Sequence, residues 1–134
     1  MNIYYLLNLE ERDIESIIIE SIAETKKNLQ GLTTDRTCKI YSDEIRACLR
    51  KRHLASQKVD TAYLGYPYSH IFNLVKIDDS EDFLIDLTFK QFNSNEFNSL
   101  STKGYIKVDT LSLLEYLEIV GNPFEKDNKN KGLK

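Results

Sequence analysis

The 134-residue chain has no tryptophan, one methionine, two prolines, two cysteines and five glycines. The cysteine and glycine counts each remove a class of protein. Cys38 and Cys48 form neither a CxxC pair nor a disulfide framework, so a disulfide-stapled secreted scaffold is excluded and a reducing cytosol is the expected compartment. None of the five glycines builds a phosphate-cradling loop, which leaves nucleotide binding without support. Basic charge is not in excess either. Lys and Arg number 18 against 21 Asp and Glu, a formal net charge of -3, which argues against a sequence-independent nucleic-acid binder. The N-terminal stretch "MNIYYLLNLEERD" lacks a basic flank and meets charge at Glu10, so neither a signal peptide nor a membrane span is expected there. Delivery by a dedicated secretion system stays open.

What is present is the makings of a core. Hydrophobic residues make up 41% and charged residues 29% of the chain, which fits one compact domain over residues 1–124, followed by a polar tail, "EKDNKNKGLK" (125–134), expected to be disordered. Asn8 and Glu11 have capping-box spacing, and Ile14, Ile17, Ile18 and Ile22 recur at helical spacing, so a first helix is predicted near residues 9–29, with Gly31 as its stop. After the turn formers of "GLTTDRT", Tyr41, Ile45, Cys48 and Leu49 mark the buried stripe of a second helix ending near Arg52. "QKVDTAYL" reads as a strand from Gln57, broken by Gly65 and Pro67. The segment "SHIFNLVKIDDSEDFLIDLTFKQF" reads as a hairpin apolar on both faces, hence a sheet covered by helices on both sides. A polar loop after Phe92, an edge strand in "GYIKVDT" and a helix near Ser112–Ile119 complete an α+β fold with a small antiparallel sheet.

Three polar residues stand out against that apolar pattern. Cys38 falls in the first turn of the second helix, where unpaired N–H groups and the positive end of the helix dipole favour a thiolate. Cys48, beside Leu49 on the buried stripe, reads as an inert core residue. In the hairpin, Asp78 lies midway between His70 and Asp86 and opens the turn-rich "DDSED". A tip centred there makes His70 and Asp86 direct cross-strand partners with Cβ atoms roughly 5 Å apart, close enough for the carboxylate to orient the imidazole.

The order Cys38 at a helix start, His70 opening a strand and Asp86 in "LIDLTFKQF" resembles the transglutaminase-like branch of the papain-like cysteine hydrolases, over roughly residues 34–93. Within that superfamily the resemblance is nearest to bacterial effector and toxin glutamine deamidases. It implies a papain-like core, attack of the Cys on an amide or ester carbonyl, proton transfer by the His, an acid that orients the His, and no cofactor. It also implies an oxyanion role for Gln91, five positions after Asp86, to which the backbone N–H of Cys38 adds a second donor. Lys39 stands where transglutaminases often carry an aromatic, which speaks against protein crosslinking, and "TDRTC" lacks the glycine-rich segment of arylamine acetyltransferases. Expected activity is therefore cysteine-dependent amide hydrolysis or acyl transfer on a protein or peptide substrate, by glutamine deamidation or peptide cleavage. The rival is a catalytically silent interaction module, an immunity or adaptor protein on the same fold. A metal site drawing on Cys38, Cys48, His53 and His70 matches no zinc spacing.

Overall fold

The structure is a computed structural model that describes residues 10–123. The Asn8 cap and the 125–134 tail lie outside the described residues. Helix α1 (Glu11–Asn28) starts after Glu10, an extended N-cap residue whose side chain makes no capping bond. It buries Ile14, Ile18 and Ile22. Helix α2 (Cys38–Lys51) buries Tyr41, Ser42, Ile45, Cys48 and Leu49, so the stripe read from the sequence is the packed one, with Ser42 added.

Four strands follow: β1 (Gln57–Asp60), β2 (Ile71–Lys76), β3 (Asp82–Ile85) and β4 (Tyr105–Val108). They form one antiparallel sheet in the order β1-β2-β3-β4, with β4 at an edge. The first strand is half the length expected from "QKVDTAYL". The Asp60 carboxylate accepts from Ala62 N at 3.0 Å and starts a 3-10 turn at Thr61–Leu64, which Gly65 ends in the left-handed conformation. The second hairpin strand stops at Ile85, and the end of the segment read as hairpin is a second 3-10 turn, Phe89–Phe92; a short helix α3 (Asn98–Lys103) occupies the region expected to be loop. Helix α4 (Thr110–Gly121) is capped by Asp109, which accepts from Ser112 N at 2.8 Å.

Successive strand residues point to opposite faces, and both faces are covered, as the hairpin's composition demands. Val75, Phe83, Ile85 and Tyr105 pack against Ile14, Ile18 and Ile22 of α1 and Ile45 and Leu49 of α2. Phe72, Leu84 and Val108 pack against Tyr116, Leu117, Ile119 and Val120 of α4, with Phe89 and Leu100 closing that side. Burying large side chains of these types stabilises by about 1.5–3 kcal/mol each, which makes two-sided coverage the main source of stability.

The hairpin turn is centred one residue later than expected, which shifts the pairing of the strands by two. Leu74 pairs with Leu84 and Asn73 with Ile85, so the turn centres on Asp79 rather than Asp78. Asp78 is the anchor of that turn: one carboxylate oxygen accepts from Ser80 N, Ser80 Oγ and Glu81 N at 2.8–2.9 Å. Continuing the register places Asp86 opposite Phe72, and His70 on the diagonal. His70 and Asp86 are therefore not direct cross-strand partners, yet the shift preserves their face, because side-chain direction alternates with period two.

Candidate active site

Each residue of the site lies where a regular element begins or ends. Cys38 is the first residue of α2, His70 immediately precedes β2, and Asp86 immediately follows β3. Two buried polar contacts fix these ends. Ser42, one turn into α2, donates to Asn73 Oδ1 at 2.8 Å, and Asn73 Nδ2 returns a bond to Ser42 O at 3.3 Å, locking the helix to β2. Thr61 holds the backbone of His70, accepting from His70 N at 2.8 Å and donating its own N–H to His70 O at 3.0 Å. Asp86 N donates to Gly104 O at 2.9 Å. Gly104 has φ +88°, and a Cβ there would collide with the Leu87 side chain, so the residue that follows α3 must be glycine for this junction to close.

His70 and Asp86 are both fully enclosed, and His70 Nε2 lies 2.8 Å from Asp86 Oδ2. The carboxylate is saturated. Oδ2 also accepts from Tyr116 Oη at 2.6 Å, while Oδ1 accepts from Thr88 N at 3.0 Å and Thr88 Oγ1 at 2.9 Å. Burial pushes Asp86 up, but the His70 charge and hydrogen bond, then Tyr116 and Thr88, outweigh it and hold the carboxyl below its ordinary range. Tyr116 itself is raised well above a normal phenol by burial and by Asp86, so it stays a proton donor.

The other imidazole nitrogen, Nδ1, is buried and has no formed hydrogen bond among the described residues. The half-buried Cys38 thiol lies against this ring. Burial pushes the thiol up, but the His70 imidazole and the Ile71 N–H prevail and bring it below its ordinary value. Burial likewise opposes charge on His70, but Asp86, aided by Cys38, raises it to about 9. The two shifts together favour a thiolate–imidazolium pair. The thiol–imidazole contact is looser than a finished hydrogen bond, as is common before substrate tightens a site.

Cys38 also faces unpaired donors. The first helical bond of α2 runs from Tyr41 N to Thr37 O at 3.1 Å, and Thr37 makes no side-chain cap, so the N–H groups of Cys38, Lys39 and Ile40 have no acceptor within the helix. Gln91 sits on the 3-10 turn beyond Asp86, and its Oε1 accepts from Arg36 N at 3.4 Å. A backbone N–H can only bond the carbonyl end of that amide, so the NH₂ end is left as the donor, two residues upstream of Cys38. The Arg36 loop is itself pinned: Thr37 Oγ1 donates to Thr33 O at 2.6 Å and Tyr41 Oη to Leu32 O at 2.8 Å.

Three of the four residues singled out in the sequence, Cys38, His70 and Asp86, therefore meet at one end of the sheet, and Gln91 reaches the loop before Cys38 through Arg36 N. Tyr116 and Thr88 were not singled out. The signal for Tyr116 was a phenol on the apolar stripe of a helix, since a buried tyrosine hydroxyl needs a partner. Phe92 closes the site, its ring edge-on to His70 with centroids 4.8 Å apart. Cys48 is buried, contacts Thr25 Oγ1 at 3.5 Å and is raised by burial, in agreement with its reading as core. Among the described residues no cluster of three or more His, Cys, Asp or Glu is suited to a metal ion, and no helix is long and apolar enough to cross a membrane. Compared with known proteins, the chain matches no family model, no curated protein and no solved structure.

Proposed function

We propose that the protein is a cysteine-dependent amide hydrolase or acyl transferase with a transglutaminase-like core, acting on a glutamine side chain or peptide bond of a polypeptide in a reducing compartment. The observation that carries this reading is the Cys38–His70–Asp86 chain, in which a helix-start thiol meets an imidazole whose far nitrogen is held by a buried carboxylate. The Cys38 thiolate attacks the amide carbon, and the carbonyl oxygen takes the negative charge. Donors for that oxygen are the Cys38 N–H and the Gln91 side-chain amide. His70 passes its Nδ1 proton to the leaving nitrogen, the C–N bond breaks, and a thioester to Cys38 remains. Neutral His70 then takes a proton from water or an amine, whose attack on the thioester releases product and restores the thiolate–imidazolium pair.

A second reading is the silent interaction module. Favouring it, His70 has no exposed surface and the crevice between Cys38, Tyr41 and Asp86 is about 10 Å³, room for a single water. One experiment separates the two. Limiting iodoacetamide at neutral pH, followed by intact-mass analysis and peptide mapping, is expected to place a single adduct on Cys38, with ammonia or peptide release from glutamine-containing substrates lost in the same proportion. A native protein that resists alkylation, or alkylates first at Cys48, overturns the hydrolase reading.

A further inference from the structure

A larger hollow than the crevice at Cys38 lies beside the site. A cavity of about 100 Å³ opens between the last turn of α1, the loop before α2, the 3-10 turn after Asp86 and helix α3. Since one water needs roughly 10–15 Å³ by the same measure, this volume accepts a group the size of a carboxylate or phosphate with its nearest waters. Tyr41, Asp86 and Leu87 form a wall common to this cavity and the crevice at Cys38, so an occupant sits next to the reacting thiol.

Its walls are rich in donors. Lys26 and Lys90 line it from opposite elements, and neither has a carboxylate partner among the described residues. By contrast Lys51, Lys58 and Lys107 are each engaged at 2.9–3.2 Å. Thr34 and Ser101 also line the cavity, and their hydroxyls form no hydrogen bond among the described residues. The one acid in the wall, Asp86, spends its acceptor capacity on His70, Tyr116 and Thr88. On a chain of net charge -3, two exposed lysines without a carboxylate partner and two hydroxyl residues among the lining of one hollow make it complementary to an anion.

We infer that this cavity is an anion-accepting subsite, and that it takes the carboxylate of an acidic residue adjacent to the reacting amide of a polypeptide substrate. The peptide assignment rests on the hydrolase reading; the anion site does not. Two measurements keep them apart. In the first, inorganic phosphate is titrated into the full-length Cys38→Ala protein and into the same protein carrying Lys26→Gln and Lys90→Gln, and backbone amide NMR shifts are followed. Saturable shifts at Thr34, Ser101 and Gly104 that vanish in the lysine variant are expected; absence of shifts overturns the anion site whatever the protein catalyses. In the second, capped peptides Gly-Gln-Glu-Gly and Gly-Gln-Gln-Gly compete as substrates for the otherwise wild-type chain. A preference for the Glu peptide of about fivefold is expected, falling with ionic strength and lost in the Lys26→Gln, Lys90→Gln variant. Phosphate binding with no preference between peptides that are both turned over overturns the peptide assignment and leaves a site for a free anion. Phosphate binding with neither peptide turned over removes the hydrolase reading, and with it the peptide assignment, while the anion site stands.

Discussion

Helix α2 carries a cysteine at each end, and the two have opposite chemistry. Cys38 begins the helix among unpaired N–H groups and beside His70, and its thiol is shifted toward ionisation. Cys48 lies near the last turn, buried, with its sulfur between Thr25 and the Glu44 carboxylate, and its thiol is shifted away from ionisation. Residue type and helix are shared, and burial pushes both thiols up; at Cys38 the His70 imidazole and the Ile71 N–H outweigh it, whereas at Cys48 burial prevails and the Glu24 and Glu44 carboxylates add to it. A reactive thiol is thus an environment supplied by other elements, chiefly by the residues flanking the β2–β3 hairpin.

The sharpest way to break the comparison is to exchange the two ends. Cys38→Ala should abolish alkylation and lower turnover by about 10⁴-fold or more, whereas Cys48→Ala should leave both unchanged and cost only modest stability, checked by single-turnover kinetics and thermal melts. Next in size is Asp86→Asn. It keeps the shape but disturbs the imidazole's charge and orientation, so turnover should fall by about 10³- to 10⁴-fold. The substitution also leaves buried donors of His70, Tyr116 or Thr88 mismatched, so the melting temperature should fall too.

Gln91→Ala tests the oxyanion donor apart from the thiol. Turnover should drop by about 10²- to 10³-fold while alkylation of Cys38 stays at the wild-type rate. Gln91→Glu should be worse, because it sets a carboxylate beside the developing charge. An alanine variant with full turnover would assign the oxyanion to backbone N–H groups alone.

The smallest expected effects are in pH dependence. His70 is raised from 6.5 to about 9, so its contribution to stability is complete below 6.5 and is lost as pH rises through about 9; Asp86 is depressed, so its contribution is present above 3.8 and is lost as pH falls below that. Denaturant midpoints should therefore be flat between those limits and decline on both sides. Activity should share the alkaline limb, as the imidazolium loses its proton. Tyr116→Phe removes one donor from Asp86, leaving the carboxylate a stronger partner for His70. The alkaline limb should move to higher pH with a severalfold loss of rate, a shift that mere packing damage would not produce.

The site was legible in outline because its signals are local. A thiol after "TDRT" and before a helical stripe has only one place to be, and the spacing of His70 and Asp86 around an acidic turn put both on one face even with the centre one residue off. The error has a physical source: Asp78 gathers three donors and so anchors the turn at its start instead of sitting at its tip. What stayed hidden depends on distant partners. Tyr116 reaches Asp86 from helix α4, 30 residues along the chain, and Thr61 holds the His70 N–H across nine. Helix α3 was masked by polar composition, although Leu100 is a core residue, and the 3-10 turn at Phe89–Phe92 was read as strand because its phenylalanines continue the apolar pattern of the hairpin.

The hairpin holds its chemistry at one end only. Its turn, tied down by Asp78, is separated from His70 by the six residues of β2, about 20 Å of extended chain. For an engineer this is a free handle. Lengthening a surface loop costs free energy only slowly with length, so extra sequence spliced between Asp79 and Ser80, while it gives up the Asp78 bonds to Ser80 and Glu81, can carry a label or an affinity tag without moving the thiol's neighbours. For a lineage it is a tolerant spot, where insertions can accumulate and new contacts be tried while the chemistry at the opposite end is left as it was.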